Sequence, residues 1–188
     1  VWRRQDVTLQ ETTLPPLADP ADLGARLGKP ESDPGIALAL QMASERFRGQ
    51  TRNPISLVEN DTIVLDGAGA RVLRLPVWPV VSVSSLTVAG QTVLDPEWSA
   101  AGLLRLPARF PDVWRSIEVV YSHGFADIPG DVQEVVLDQA ASISEASPWL
   151  SQFTSGQEQV AMAAAATVGT TSQWARAVAR YRIGGDHW

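Results

Sequence analysis

Two segments of the chain carry apolar residues at helical spacing, and both open on the pair Asp-Pro. At Asp19-Pro20-Ala21-Asp22-Leu23 an aspartate can cap a helix with proline in its first position, where the missing N–H breaks no helical bond. Gly28 and Pro30 stop the run, so a short helix is predicted at 20–27. Asp33-Pro34 repeats the device and opens a helix over 34–48. Within it Ile36, Leu40, Ala43 and Phe47 form one stripe, while Leu38 and Met42 project from the other side. A helix with two apolar faces needs two neighbours. The second is either another part of the same subunit or a second copy.

From Ile55 to Ser122 the period changes to two. Thr62 to Leu65 and Arg71 to Leu75 flank Asp66-Gly67-Ala68-Gly69, which predicts a hairpin. Val81, Val83, Leu86 and Val88 alternate with Ser and Thr, and the phase slips at Ser84-Ser85, where a bulge accounts for it. Leu103 to Leu106 and Ile117 to Tyr121 supply two more strands. The uncharged run within 75–94 contains Pro76, Pro79 and Gly90 and reads as strand, not as a membrane span. Short strands with brief connections make an antiparallel unit set between helices. The predicted fold class is therefore α+β, with the β unit over about 55–122 inserted between the second and third helices of a four-helix core.

The third helix is predicted at 131–146, with Val132, Val135, Val136 and Ile143 on one face. Pro148 ends it, and 150–171 has no pattern of useful length. Ser172 can cap a fourth helix at 173–182, in which Trp174, Ala177, Val178 and Tyr181 share a face and Arg176 and Arg180 lie opposite. Residues 1–18 show no apolar period that would close a core and are expected to be an extended arm. Residues 184–188, Gly-Gly-Asp-His-Trp, are expected to be a tail.

Composition narrows the function. The 188 residues carry 15 Lys plus Arg against 21 Asp plus Glu, a formal charge of -6, and the isoelectric point is about 4.9. Such a chain does not hold nucleic acid by neutralising phosphates, which takes a basic face. With no cysteine there is no disulfide framework and no thiolate metal site. The first residues, Trp2-Arg3-Arg4-Gln5-Asp6, do not read as a secretory leader. Catalysis would have to start from two histidines. His123 neighbours Ser122, but adjacent strand residues point to opposite faces, so His123 is expected to be a turn residue bonded to backbone. Asp61 and Asp66 read as turn formers. No phosphate loop, nucleophile elbow or paired-His motif is present. No cofactor or metal is expected. Seven Trp admit a sugar-binding module as a competing class, but Trp78, Trp98, Trp114 and Trp149 sit beside strands or helix ends, where most read as core or packing residues, and they form no single stripe.

Taken in order, several segments resemble one family: Asp19-Pro20-Ala21-Asp22-Leu23, Ala43-Ser44-Glu45-Arg46-Phe47-Arg48, Leu75-Pro76-Val77 with Val80-Val81-Ser82-Val83, and Val119-Val120-Tyr121-Ser122-His123-Gly124-Phe125. Pro129 before Val132, Val168-Gly169 with Ser172, and Arg180-Tyr181-Arg182 continue the match. The chain resembles the head-to-tail connector adaptors of tailed bacteriophages, the group similar to the lambdoid head-tail connector and common in phages of actinobacteria. The resemblance spans most of residues 19–183, and its specificity lies in order and spacing because each motif is short.

It implies a structural, non-enzymatic virion protein: a ring, typically a dodecamer, under the portal, which extends the DNA channel and carries the stopper or tail. It also implies that DNA passes without sequence-specific binding and that no membrane is involved. Leu38 and Met42 are the subunit-interface candidates. Asp131, Glu134 and Asp138 are the channel-lining candidates. Trp174, Arg176, Val178, Arg180, Tyr181, His187 and Trp188 are the portal-binding candidates, on the expectation that the C-terminal helix presents aromatic anchors with a charged rim. The alternative is that this helix completes the subunit's own bundle. A stopper or tail-completion protein is the neighbouring reading, expected to be mostly β.

Overall fold

A computed structural model of the chain describes residues 14–146 and 171–184. The two Asp-Pro pairs work as caps. Asp19 and Asp33 are extended, and their Oδ1 atoms accept hydrogen bonds from Ala21 N at 2.8 Å and Gly35 N at 2.7 Å. They start α1 (Pro20–Leu27) and α2 (Pro34–Thr51). α2 runs about a turn past the predicted stop at residue 48 and ends where Arg52 turns left-handed; in its last turn the Thr51 hydroxyl donates back to Phe47 O at 2.8 Å. α3 spans Gly130–Ala146 and α4 spans Ser172–Tyr181. The cap of α4 is Thr171, whose Oγ1 accepts from Trp174 N at 3.1 Å; Ser172, predicted as the cap, is the first helical residue.

The four helices close one core. The α2 stripe of Ile36, Leu40, Ala43 and Phe47 meets Leu23 of α1, Val132, Val136 and Ala140 of α3, and Trp174 of α4, all buried. One expectation is corrected at its edge. Leu17 is fully buried in this core and its N–H donates to Ser44 Oγ at 3.0 Å, so the described end of the arm helps to close the bundle. Two apolar residues, Leu17 and Ala18, are too few to show a period. Residues 1–13 lie outside the described part.

Seven strands follow α2: β1 (Val58–Leu65), β2 (Val72–Arg74), β3 (Val80–Val88), β4 (Gln91–Val93), β5 (Glu97–Ser99), β6 (Leu103–Arg105) and β7 (Ile117–His123). They make a four-stranded sheet in the order β1-β7-β3-β4 and a three-stranded sheet in the order β2-β6-β5, with every strand pair antiparallel. Buried Leu75, Leu86, Leu104, Phe110, Ile117, Val119 and Tyr121 form a second core. The bulge predicted at Ser84-Ser85 is present, since the register of β3 on β7 shifts between Val83 and Ser85.

The predicted hairpin of 62–65 with 71–75 does not form. β1 pairs with β7 and β2 with β6, so Asp66 to Gly69 carry the chain from one sheet to the other. Gly67 is there for close approach: its N–H donates to Val113 O at 2.9 Å, and a Cβ would lie 1.8 Å from Pro111 O.

The β unit is stitched to the helices at one joint. Gly124 donates to Pro79 O (2.8 Å), Phe125 N to Ile55 O (2.8 Å), and Leu57 N to Phe125 O (3.0 Å). Asn53 Nδ2 spans Trp78 O and Tyr181 O. The architecture is α+β, with the β unit between α2 and α3.

Candidate functional site

α2 divides into two faces. On the inner face, three polar residues share the buried side with Leu40 and Phe47: Ser44, Arg48 and Thr51. Arg48 Nε donates to Pro54 O at 3.0 Å, and its Nη2 donates to Ser56 Oγ at 2.9 Å and to Pro15 O. Nη1 pairs with Glu45 at 3.0 Å. Burial pushes the guanidinium below the ordinary arginine value, and Glu45 opposes that shift. One side chain thus ties the N-terminal stretch, α2 and the entrance to the β unit. The sequence reading did not assign Arg48 this part; the available signal was the i, i+4 spacing of Ser44 and Arg48 on the core side. On the outer face Leu38 is 45% exposed and Met42 36%. Among the described residues nothing covers this second apolar stripe.

α4 presents its aromatic face inward. Trp174 is 2% exposed, its ring meets Phe47 edge-on with centroids 5.3 Å apart, and its Nε1 donates to Gln50 Oε1 at 2.8 Å. Tyr181 is also buried, edge-on to Phe125 at 5.8 Å. The expectation that Trp174 and Tyr181 anchor a partner is therefore corrected. An amphipathic helix beside an open core face buries its large side chains there, where each indole or phenol removes the most apolar area from water. Val178 packs partly against the same core. Arg176 and Arg180 remain outside, and His187 and Trp188 fall beyond the described residues.

The acidic candidates lie close to these arginines. Tyr181 donates to Asp131 Oδ1 at 2.8 Å, and Arg180 pairs with Asp131 Oδ2 at 3.2 Å while its guanidinium sits 5.6 Å from the Tyr181 ring centre. Burial and then Asp131 raise the Tyr181 phenol above its ordinary pKa, with Arg180 opposing. Asp131, Glu134, Gln173, Arg176 and Arg180 line a shallow cleft of about 210 Å³ between α3 and α4. Two candidate sets that the sequence kept apart, channel-lining and portal-binding, thus form one mixed-charge surface. Asp138, further along α3, pairs with Arg26 of α1. Glu134 has no ion pair among the described residues.

His123 is held by a side chain and not by backbone, which corrects its expected role. Buried at the end of β7, its Nε2 lies 3.1 Å from Asp61 Oδ2, and its ring packs on Tyr121 at 4.8 Å. Asp61 is accordingly a partner of His123 and not a turn former. Ser122 Oγ accepts from Asn60 N at 3.1 Å, so serine and histidine are engaged separately and form no nucleophile and base pair. Among the described residues no cluster of three or more His, Asp or Glu could hold a metal ion, and no helix is long and apolar enough to cross a membrane.

The tryptophans scatter. Trp174 is core and Trp78 is half-buried, but Trp98 is exposed in β5 and Trp114 stands 83% exposed in the loop before β7. The reading of Trp98 and Trp114 as packing residues is corrected, because neighbouring strands identify a position in sequence without showing which way its side chain faces.

No protein-family model matches the chain, and no curated protein matches it. Solved structures do. The chain is similar to a protein in the neck of a native gene transfer agent particle computed with C12 symmetry, at 19% identity over 89% of this chain and 92% of that one, with a TM-score of 0.56. A chain in the neck of the empty particle, computed with C6 symmetry, matches at 19% identity over 93% of both chains with a TM-score of 0.55. A chain from the native virion gives 18% identity, 93% and 96% coverage, and a TM-score of 0.55. Helical bundle and β unit are thus shared as one fold along nearly the full length.

Proposed function

We propose that the chain is a non-enzymatic connector subunit in the neck of a tailed, phage-like virion. In this reading it is an adaptor whose copies close a ring, a dodecamer, beneath the portal. The ring extends the DNA channel and offers a platform for the stopper or tail. The observation that carries the reading is the fold likeness, over most of the chain, to proteins of particle necks computed with C12 and C6 symmetry. The order of motifs along the chain supports it independently. So does the Leu38 and Met42 face, exposed among the described residues, since an exposed apolar pair on a helix whose opposite face is buried suits an interface between copies.

The α3 and α4 surface then belongs at the mouth of the ring. Arg176 and Arg180, with Val178 at the edge, His187 and Trp188, are proposed to meet the portal, while Asp131, Glu134 and Asp138 face the passing DNA. Arg180 and Arg26 are each matched by an aspartate, which balances two of the cations near this surface locally. Four helices framing the sheets favour an adaptor over a mostly β stopper. Among the described residues the scattered indoles offer no flat platform for a sugar.

Native mass measurement tests the ring. Twelve copies of a 20.3 kDa chain make about 240 kDa. Leu38→Glu with Met42→Glu is expected to keep the circular dichroism of the folded subunit and to leave it monomeric, because carboxylates desolvated in an interface cost several kcal/mol. Monomer at every concentration for the parent chain, or normal assembly of the double variant, overturns the reading.

A further inference from the structure

A ring closed by rotation joins unlike surfaces: every copy presents one patch to the neighbour ahead and a different patch to the neighbour behind. The outer face of α2 is one such patch. Among the described residues all other exposed large hydrophobics belong to the β part of the chain, and they are not equivalent. Val72 shares a cross-strand row with Arg105 and Glu97, and Leu103 with Arg74 and Ser99, so both are diluted by charged or polar neighbours. Val64, Val113 and Trp114 instead line a single groove of about 560 Å³ on the outer side of the four-stranded sheet. Val64, Glu118 and Thr87, in register across β1, β7 and β3, lie along it.

The wall bearing Trp114 is built in advance. Val113 O accepts from Gly67 N at 2.9 Å, Asp66 Oδ1 accepts from Arg115 N at 2.7 Å, and Ser116 O accepts from Ala89 N at 2.7 Å. The loop holds an indole in water and needs no ordering to receive a ligand, which lowers the entropic cost of association. We infer that this groove receives the Leu38 and Met42 face of α2 from the adjacent copy of the same chain. Charge agrees with the choice. Glu45 lies one turn beyond Met42; its Oε1 already accepts from Arg48 Nη1 and Gln41 Nε2, but the carboxylate is about half exposed and can be shared with a second cation, and Arg115 at the groove has no ion pair among the described residues. Trp114 is the central anchor of the contact, as aromatic side chains in desolvated pockets generally are.

This inference rests on the ring reading, and cross-linking separates the two. The chain has no cysteine, so paired cysteines report cleanly. Ala37→Cys lies beside Leu38, Ala89→Cys lies on the groove rim, and both positions are exposed. With a short bis-maleimide, the double variant is expected to give a ladder of covalent oligomers ending at the ring. A mixture of the two single variants is expected to stop at a dimer containing one of each. Cross-links from Ala37→Cys to itself, or a ring of native mass with no 37-to-89 cross-link, overturn the docking and leave the ring standing. A monomer without cross-links overturns both. Trp114→Ala, a surface change expected to leave thermal unfolding in place, is expected to weaken assembly by about tenfold or more; unchanged assembly also overturns the inference.

Discussion

Tyr121 and Arg48 show how single polar side chains are placed inside this fold. Tyr121 is fully buried on β7, and burial first, then the charge of Asp61, pushes its phenol up to about 12. The folded chain therefore holds that proton more tightly than the unfolded chain, where tyrosine ionises near pH 10. Its contribution to stability is complete below about pH 10 and is lost as the pH rises through 12. Thermal unfolding followed from pH 9 to 12 is expected to show a falling midpoint. Tyr121→Phe is expected to flatten part of that fall, leaving the smaller share owed to Tyr181, the other tyrosine of the chain, whose pKa is shifted in the same direction. An identical slope in the variant would show that burial of this phenol does not govern the alkaline limit. Arg48 cannot be treated as a rim charge in the same scheme, because its acceptors are carbonyls of separate segments that would be left unpaired without it.

At the scale of elements, α4 decides between packing and docking. With Trp174 edge-on to Phe47 and bonded to Gln50, Trp174→Ala is expected to cost about 3–5 kcal/mol in urea unfolding, the range for emptying an aromatic core site. A loss below about 1 kcal/mol would return the indole to the list of docking residues. The helices were legible in the sequence because their signals are local: Asp-Pro caps, Gly28, and apolar stripes within one turn of each other. The hydrophobic face of α4 was legible too, but not what lies against it. Strand partners were less so. β1 finds β7 across some sixty residues, and the Asp66 to Gly69 stretch has the composition of a hairpin turn while serving as a crossing between sheets. β4 and β5, three residues each, are too short for alternation to appear at all.

For the whole molecule, the interface candidates Leu38 and Met42 were legible from periodicity. The groove at Trp114 was not, since it joins residues from β1, β3 and the loop before β7 that only the folded sheet brings together. Charge was legible from the start, and it leads to a prediction about the assembled ring. At -6 per chain the parent protein is expected not to retain duplex DNA at moderate salt, because phosphates held by a ring would need a cationic surface to release counterions against. Glu134→Lys changes each copy by two charges at an exposed position of α3 proposed to face the channel. Glu59→Lys makes the same change on exposed β1, away from that surface. If α3 lines the channel, the first ring concentrates its new lysines around the DNA path and is expected to retain DNA with a steep salt dependence, whereas the second is expected to retain much less. Retention measured across a salt series separates the cases: equal binding by the two variants would remove Glu134 from the channel, and tight binding by the parent ring would remove the idea of a lining over which DNA slides.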